Sequence, residues 1–208
     1  MQEVKYARQR EFSGDADLRA MMDLAWAFPA ENLHVVDLPY RLCSGALDDP
    51  ANVGLWADPR GELLAWAVMQ APFWTIDAAF HPDAPAGLYR ALLVWSDHRA
   101  RQLLDTPGGR PCWFVMVFAD QASRICSLMA AGYACQSDLG QDTWSKVLLQ
   151  RAAEMPVAQC TPPAGYAIRP LAGDREVGAY VALQQAVFES KNMTAGWRKC
   201  TLRRPEYR

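Results

Sequence analysis

The chain has 208 residues and a formal net charge of −2, with 51% apolar and 21% charged residues. This balance is typical of a folded globular protein and argues against intrinsic disorder. With a slightly acidic charge and no long run of Lys or Arg, the chain is not expected to bind nucleic acid. No apolar stretch reaches the roughly eighteen residues that a membrane-spanning helix requires, so no membrane partner is expected either.

The N-terminus and the cysteines indicate a cytoplasmic protein without a structural metal. Residues 1–8 carry too many charges for a secretory signal peptide. The six cysteines include no Cys-x-x-Cys pair, and we expect them to be reduced and partly buried. The three histidines, which have no partners at metal-ligand spacing, are His34, His81 and His98.

The first elements predicted along the chain are a strand over residues 2–12 and two helices. Residues 13–17 contain the Ser and Asp side chains that are typical of a helix N-cap and first turn. The apolar residues that recur behind them at helical spacing are Leu18, Met21, Met22 and Ala25. Pro29 ends this helix, and a second helix is predicted over about 36–47.

Three strands follow, over residues 52–57, 62–70 and 73–80. The middle one is almost wholly apolar, which suits a strand that is buried on both faces. In the third, apolar and polar residues alternate, so that one face has a polar centre.

Helices and strands alternate in the rest of the first 150 residues. A helix is predicted over 85–104, and a short helix begins at Asp120 and stops at Gly132, a plausible C′ residue. The strands predicted around them cover residues 112–118, 133–138 and 143–149.

The order of these elements predicts an α/β (α+β) fold with a mixed, mainly antiparallel central sheet and helices on both faces. Consecutive strands without helices between them argue against a doubly wound parallel sheet. The domain covers residues 1–150, and residues 151–164, with three prolines, form a linker. Residues 165–208 then begin a second unit.

This second unit resembles the start of the chain. Tyr6–Phe28 and Tyr166–Phe188 both open with Tyr-Ala, contain Gly-Asp and close at Phe. A one-residue gap in the alignment is needed to bring the two Gly-Asp pairs into register. Further on, Tyr40-Arg-Leu-Cys43 parallels Trp197-Arg-Lys-Cys200. The pattern predicts a duplication with a strand near 166–171; chance similarity between amphipathic helices is the alternative. Because one strand and a helical hairpin cannot bury a core, the unit must dock on the first domain, pair with another chain as in a homodimer, or belong to a longer protein.

The order of elements over residues 1–150 resembles the GNAT family of acetyl-CoA-dependent N-acetyltransferases. The tandem arrangement is similar to mycothiol synthase-like members, with a degenerate first module and a truncated second one. In this family an Arg/Gln-x-x-Gly-x-Gly/Ala run enters the helix after the fourth strand. Here Gly87 matches the first glycine, whereas Ala84 and Tyr89 replace two other signature residues.

The resemblance implies acetyl-CoA as co-substrate, with its diphosphate at the N-terminus of the helix that follows the strand 73–80. The residues that would contact it are Ala79, Phe80, Gly87, Leu88, Tyr89 and Arg90. The alternative interpretation makes Gly87 a small residue in a first helical turn and Arg90 a surface cation.

Two further family features bear on the chemistry. Gly132-Tyr133 matches a Gly-aromatic pair, but Leu128 stands where the family has the tyrosine acid, and leucine cannot donate a proton. Asp77, the only carboxylate on the strand 73–80, is the candidate general base. An outward polar residue on a half-exposed strand is the alternative for Asp77.

The resemblance therefore predicts a GNAT-type acyltransferase that transfers an acetyl group from acetyl-CoA to an amine of a small molecule or peptide. Because two signature positions and the acid are replaced, we expect this chain to act mostly as a supporting module. A second reading keeps transfer in the first module itself, by direct attack of a neutral amine on the thioester. The alternative from another class is a non-catalytic GNAT-like domain used for assembly or ligand sensing.

Overall fold

A four-stranded antiparallel sheet forms the centre of the protein. The computed structural model describes residues 7–33, 37–137, 152, 154–156, 161–189 and 191–204. The strands, which lie in the order β1-β2-β3-β4 with antiparallel neighbours, are β1 (Arg8–Arg10), β2 (Val53–Ala57), β3 (Leu63–Gln70) and β4 (Thr75–Phe80). The mixed α and β fold with a mainly antiparallel sheet is confirmed.

Six α-helices and three short 3-10 turns accompany the sheet in the described part of the chain. The helices are α1 (Asp15–Ala27), α2 (Leu38–Arg41), α3 (Leu88–Leu103), α4 (Ala122–Ala130), α5 (Val177–Phe188) and α6 (Ala195–Arg203). The 3-10 turns are Ala46–Asp48, Pro50–Asn52 and Gly173–Glu176. All three predicted strands between 52 and 80 are confirmed to within two residues, as is the helix α1.

Alternation along the buried strand β3 divides the core into two layers. Trp66 and Val68 pack with α1 on one face, and the indole N–H of Trp66 donates to the Met21 carbonyl at 2.8 Å. Ala65 and Ala67 face α3 and α4 on the other side. Each fully buried large apolar side chain stabilises the fold by roughly 1.5–3 kcal/mol. Helices therefore lie on both faces of the sheet because β3 is apolar on both faces from Leu63 to Met69.

Among the described residues, five predicted elements are shorter than expected or absent, the first being the strand 2–12, which covers only Arg8–Arg10. The second helix covers only Leu38–Arg41, since Gly45 at φ +83° turns the chain into a 3-10 turn. Segment 112–118 forms a single bridge rather than a strand. Residues 133–137 form no strand, and the predicted strand 143–149 lies outside the described residues, as do residues 151, 153 and 157–160 of the linker.

The C-terminal helices dock on the first unit. This is one of the three arrangements that the sequence predicts for residues 165–208. Trp197 of α6 is buried between Tyr40 and Phe73, with ring centroids 4.9 and 5.3 Å away, and its indole N–H donates to the Tyr40 carbonyl at 2.9 Å. Asn192 adds a bond to the Pro72 carbonyl at 2.7 Å.

The strand predicted near 166–171 is wrong: these residues form no strand. A strand requires a neighbour to pair its backbone groups, and no described segment lies beside this one in a sheet.

Candidate functional site

The outer edge of β4 is closed at its beginning by a neighbouring segment. Segment 112–118 meets β4 in parallel orientation at one bridge, between Thr75 and Phe114. The Ile76 N–H donates to the Phe114 carbonyl at 2.9 Å, and the Phe114 N–H donates to the Trp74 carbonyl at 2.8 Å. The pairing does not continue as a ladder, so β4 and segment 112–118 are joined at one point only.

The same edge is closed again at the end of β4 by the side chain of Asn32. The Phe80 N–H donates to Asn32 Oδ1 at 2.9 Å, and Asn32 Nδ2 donates to the Phe80 carbonyl at 3.4 Å. Alternate residues of a strand direct their backbone groups to the same edge, so those of Ala78 face the edge that Ile76 and Phe80 use. No described residue bonds to the backbone of Ala78 on this edge. With respect to the described residues, a free donor and a free acceptor therefore lie between two closed points.

The N-terminus of α3 follows β4 and offers further unpaired amides. Gly87 is its N-cap residue, without a side-chain cap. The Leu88 N–H donates to the Pro85 carbonyl at 2.8 Å, whereas the N–H groups of Tyr89 and Arg90 have no partner among the described residues. A Cβ added to Gly87 would meet no atom within 4 Å, so the protein's own packing does not require a glycine there.

Side chains of the first turn of α3 divide between the core and the solvent. Leu88 is fully buried beneath the helix, and Arg90 is exposed without an ion pair in the described part of the chain. Of the expected contact residues, Ala79 faces the α1 layer and Phe80 faces the α3 layer. The structure thus brings only the backbone groups near Gly87 and the side chain of Arg90 to a position from which they could meet an anion.

Tyr89 fills space where the family motif has a small residue. Its ring packs on Phe80 with centroids 5.3 Å apart, and the Arg124 guanidinium lies over the Phe80 ring at 4.8 Å. The Tyr89 hydroxyl is buried without a hydrogen-bond partner, and desolvation raises the pKa of Tyr89 to about 12. Burial lowers the pKa of Arg124, although its Nη1 donates to the Glu31 carbonyl at 2.7 Å.

Asp77 lies in a buried ion pair instead of on an exposed strand face. Its Oδ2 accepts from Arg41 Nε and its Oδ1 from Arg41 Nη2, both at 2.6 Å. Thr75 donates to Oδ1 at 3.0 Å, and the Asp77 side chain is fully inaccessible to solvent. The carboxylate is therefore occupied by a cation that α2 supplies. Its role as a general base stays a prediction, and this geometry does not favour it.

Helix α4 carries no proton donor at the position where the family has its tyrosine. Leu128 is buried in the layer between α3 and α4. Asp120 lies just before the helix in a shallow depression that it shares with Gln121, Arg124 and Glu31. The predicted stop at Gly132 is matched by its φ of +90° directly after the helix.

Sequence reasoning missed three residues that shape this region: Asn32, Arg41 and Arg124. Each acts on a residue at least 36 positions away, which no periodicity in a local window reveals. The sequence offered one signal for Arg41, which is charge complementarity. Arg41 is the one arginine of α2, and Asp77 is the one carboxylate of β4.

No protein-family model matches the chain. No curated protein sequence matches it significantly. Within the described residues no group of three or more His, Cys, Asp or Glu side chains could hold a metal ion. Among the same residues no helix is both long and apolar enough to cross a bilayer.

Proposed function

We propose that this chain is a GNAT-type acyltransferase module that binds acetyl-CoA weakly and supports acetyl transfer to an amine of a small molecule or peptide. The observation that carries the proposal is the edge of β4 at Ala78, which no described residue pairs, followed in the chain by the N-terminus of α3 without a side-chain cap. An extended secondary-amide chain can pair with such an edge as an added strand does. A phosphate group can bind the amides at the helix N-terminus.

The residues present fit the two parts of this ligand. The N–H and C=O of Ala78 would hold the amide arm of coenzyme A. The N–H groups of Tyr89 and Arg90 and the side chain of Arg90 would hold its diphosphate, with open space at Gly87. When bound, acetyl-CoA supplies the activated acyl group. The predicted contacts of Ala79, Phe80 and Leu88 are not favoured by this geometry, because their side chains are directed into the core. The N–H groups of Phe80 and Leu88 are moreover bonded to Asn32 and Pro85.

The same residues explain why the chain supports the reaction rather than carries it. Leu128 provides no acid, and the Asp77 carboxylate is bound by Arg41. We therefore expect thiol release from acetyl-CoA in the presence of amines to stay near the uncatalysed rate with this chain alone. The acceptor amine, the cytoplasmic location and the boundaries of the two units stay predictions.

Calorimetry with acetyl-CoA tests the proposal. The unchanged protein is expected to bind with a dissociation constant below about 1 mM, which corresponds to about −4 kcal/mol. Gly87→Asp adds a negative charge where the diphosphate would bind, while an Asp near a helix N-terminus stabilises the helix by about 0.5 kcal/mol. This variant should fold at least as well and bind about tenfold or more weakly.

Val94→Asp is the matched control, because it places the same charge on an exposed position further along α3. Its affinity for acetyl-CoA should equal that of the unchanged protein. Absence of binding by the unchanged protein, or an equal loss in both variants, would refute an acetyl-CoA site at α3. The docking of α6 on Tyr40 and Phe73 would then favour the non-catalytic alternative, a domain used for assembly.

A further inference from the structure

Two cysteines lie where the C-terminal helices dock on the first unit. Cys43 follows the end of α2 and is 4% exposed, whereas Cys200 belongs to α6 and is partly exposed. Both are free thiols in this structure. Cys43 forms one apolar cluster with Met193 and Trp197, and Cys200 packs against the same cluster. The docking surface therefore brings together two thiols that are far apart in the sequence.

The spacing of residues along α6 directs Cys200 toward Cys43. The indole N–H of Trp197 donates to the Tyr40 carbonyl at 2.9 Å, and Nε of Arg204, the C-cap residue of the helix, donates to Cys43 Sγ at 3.4 Å. Residues three or four positions apart lie on the same face of a helix. Cys200 is three residues after Trp197 and four before Arg204. It therefore lies on the face that meets residues 40–43.

The two thiols also interact with each other. Burial raises the pKa of Cys200 to about 11, and a hydrogen bond with the Cys43 side chain acts in the same direction. Among the charged neighbours, Arg204 lowers this pKa and Asp48 raises it. Cys200 is therefore protonated at neutral pH, and the pair is reduced and slow to react at rest. Because a disulfide joins its sulfur atoms at about 2.05 Å, two hydrogen-bonded thiols need only a small approach to form one.

We propose that Cys43 and Cys200 form a redox modification site, in which a small-molecule disulfide of the glutathione type converts the two thiols into an internal disulfide. The bond fixes α6 to the segment that follows α2, and an excess of reduced thiol reverses it. The site is independent of the acetyltransferase proposal, because it includes no residue of β4 or α3.

The more exposed thiol, Cys200, reacts first. Its thiolate attacks one sulfur of oxidised glutathione and displaces a glutathione thiolate, which leaves a mixed disulfide on Cys200. The Cys43 sulfur loses its proton to water, attacks the Cys200 sulfur and displaces the second glutathione thiolate. The Arg204 guanidinium beside Cys43 Sγ offsets the negative charge during this attack. The two protein thiols thus lose two electrons and two protons, and one oxidised glutathione becomes two reduced ones.

Peptide mapping of the full chain tests the site. The protein is equilibrated with mixtures of oxidised and reduced glutathione, remaining thiols are alkylated, and unreduced peptides are identified by mass spectrometry. The Cys43–Cys200 pair is the expected linked product. Its equilibrium constant of formation should be about tenfold or more larger in the folded protein than in urea, since flexible chain segments reach effective concentrations of at most about millimolar.

Matched cysteine variants make this result specific. Cys112→Ser removes an exposed thiol and should leave the yield of the linked pair unchanged. Cys43→Ser, and Cys43→Ala without a buried hydroxyl, should stop the reaction at the mixed disulfide on Cys200. In the unchanged protein, three results overturn the proposal: a mixed disulfide that persists on Cys200, a link from Cys200 to Cys126 or Cys135 instead, or an equal equilibrium constant in urea.

Limited proteolysis tests whether the bond fixes α6. Cleavage within residues 161–204 requires α6 to leave Tyr40 and Phe73, so it should become about tenfold slower after oxidation and recover with dithiothreitol. Cys200→Ser is the control, and its cleavage rate should be the same with and without oxidised glutathione. An unchanged rate in the protein that carries the linked pair overturns the proposed fixation of α6.

Discussion

Replacing Asp77 by asparagine tests whether its carboxylate stabilises the fold or serves in catalysis. The change keeps the shape of the side chain but removes the charge that faces Arg41, whose side chain is only 5% exposed. Removing one partner of a buried ion pair costs about 3–5 kcal/mol, because the other charge stays buried without compensation. Typical domains have a total stability of about 5–15 kcal/mol. We therefore expect Asp77→Asn to lower the free energy of unfolding by about 3–5 kcal/mol in urea denaturation followed by circular dichroism.

Two controls make the interpretation specific. Asp23→Asn makes the same chemical change at an exposed position of α1 and should stay within about 0.5 kcal/mol of the unchanged protein. The double variant Arg41→Met/Asp77→Leu should regain most of the loss, since apolar replacements of a buried pair are often neutral. If Asp77→Asn unfolds within about 1 kcal/mol of the unchanged protein, the ion pair does not carry the structural role assigned to it.

Three further predictions concern other contacts. Tyr89→Phe removes a buried hydroxyl that has no partner, so the free energy of unfolding should stay equal or rise by up to about 1 kcal/mol; a loss above that would reveal a bond to the hydroxyl. Trp197→Ala empties the space beside Tyr40 and should cost about 3–5 kcal/mol of local stability, seen as faster proteolysis of the C-terminal helices; unchanged proteolysis would contradict this docking. Because the folded pKa of Asp17 is lowered to about 2, its contribution is complete above about pH 4 and is lost as the pH falls through 2. The stability difference between the protein and Asp17→Asn should therefore shrink over this range in urea titrations, and a constant difference would refute the role of Arg10.

The pattern of apolar residues predicted those strands that are determined by their own sequence. The run 62–70 is almost wholly apolar and corresponds to the buried strand β3, and the alternation over 73–80 corresponds to β4. The strand expected near 166–171 failed because a strand depends on a neighbour, and sequence likeness to β1 does not supply the partner that β2 provides in the first unit.

The candidate site likewise contains one residue whose position follows from its local sequence and one whose position depends on a distant residue. Gly87 at the start of α3 was predictable, because the N-terminus of a helix is set by the residues around it. The burial of Asp77 was not, because it depends on Arg41, 36 residues earlier in the chain. Its alternation with apolar neighbours was compatible with both an exposed face and a buried pair, and only the approach of α2 decides between them.

The open edge of β4 is limited by the residues that close it on either side. Among the described residues, the Thr75–Phe114 bridge and the Asn32 bonds to Phe80 leave the backbone of Ala78 as the free part of the edge. Two residues of a strand span only about 7 Å, which accommodates one amide unit of an extended ligand. Beyond Phe80, Tyr89 and its aromatic contacts occupy the space next to the start of α3. A ligand that reaches from Ala78 to the α3 amides must therefore pass Tyr89, and this obstruction, more than the loss of an acid or a base, sets the weak affinity that we expect for acetyl-CoA.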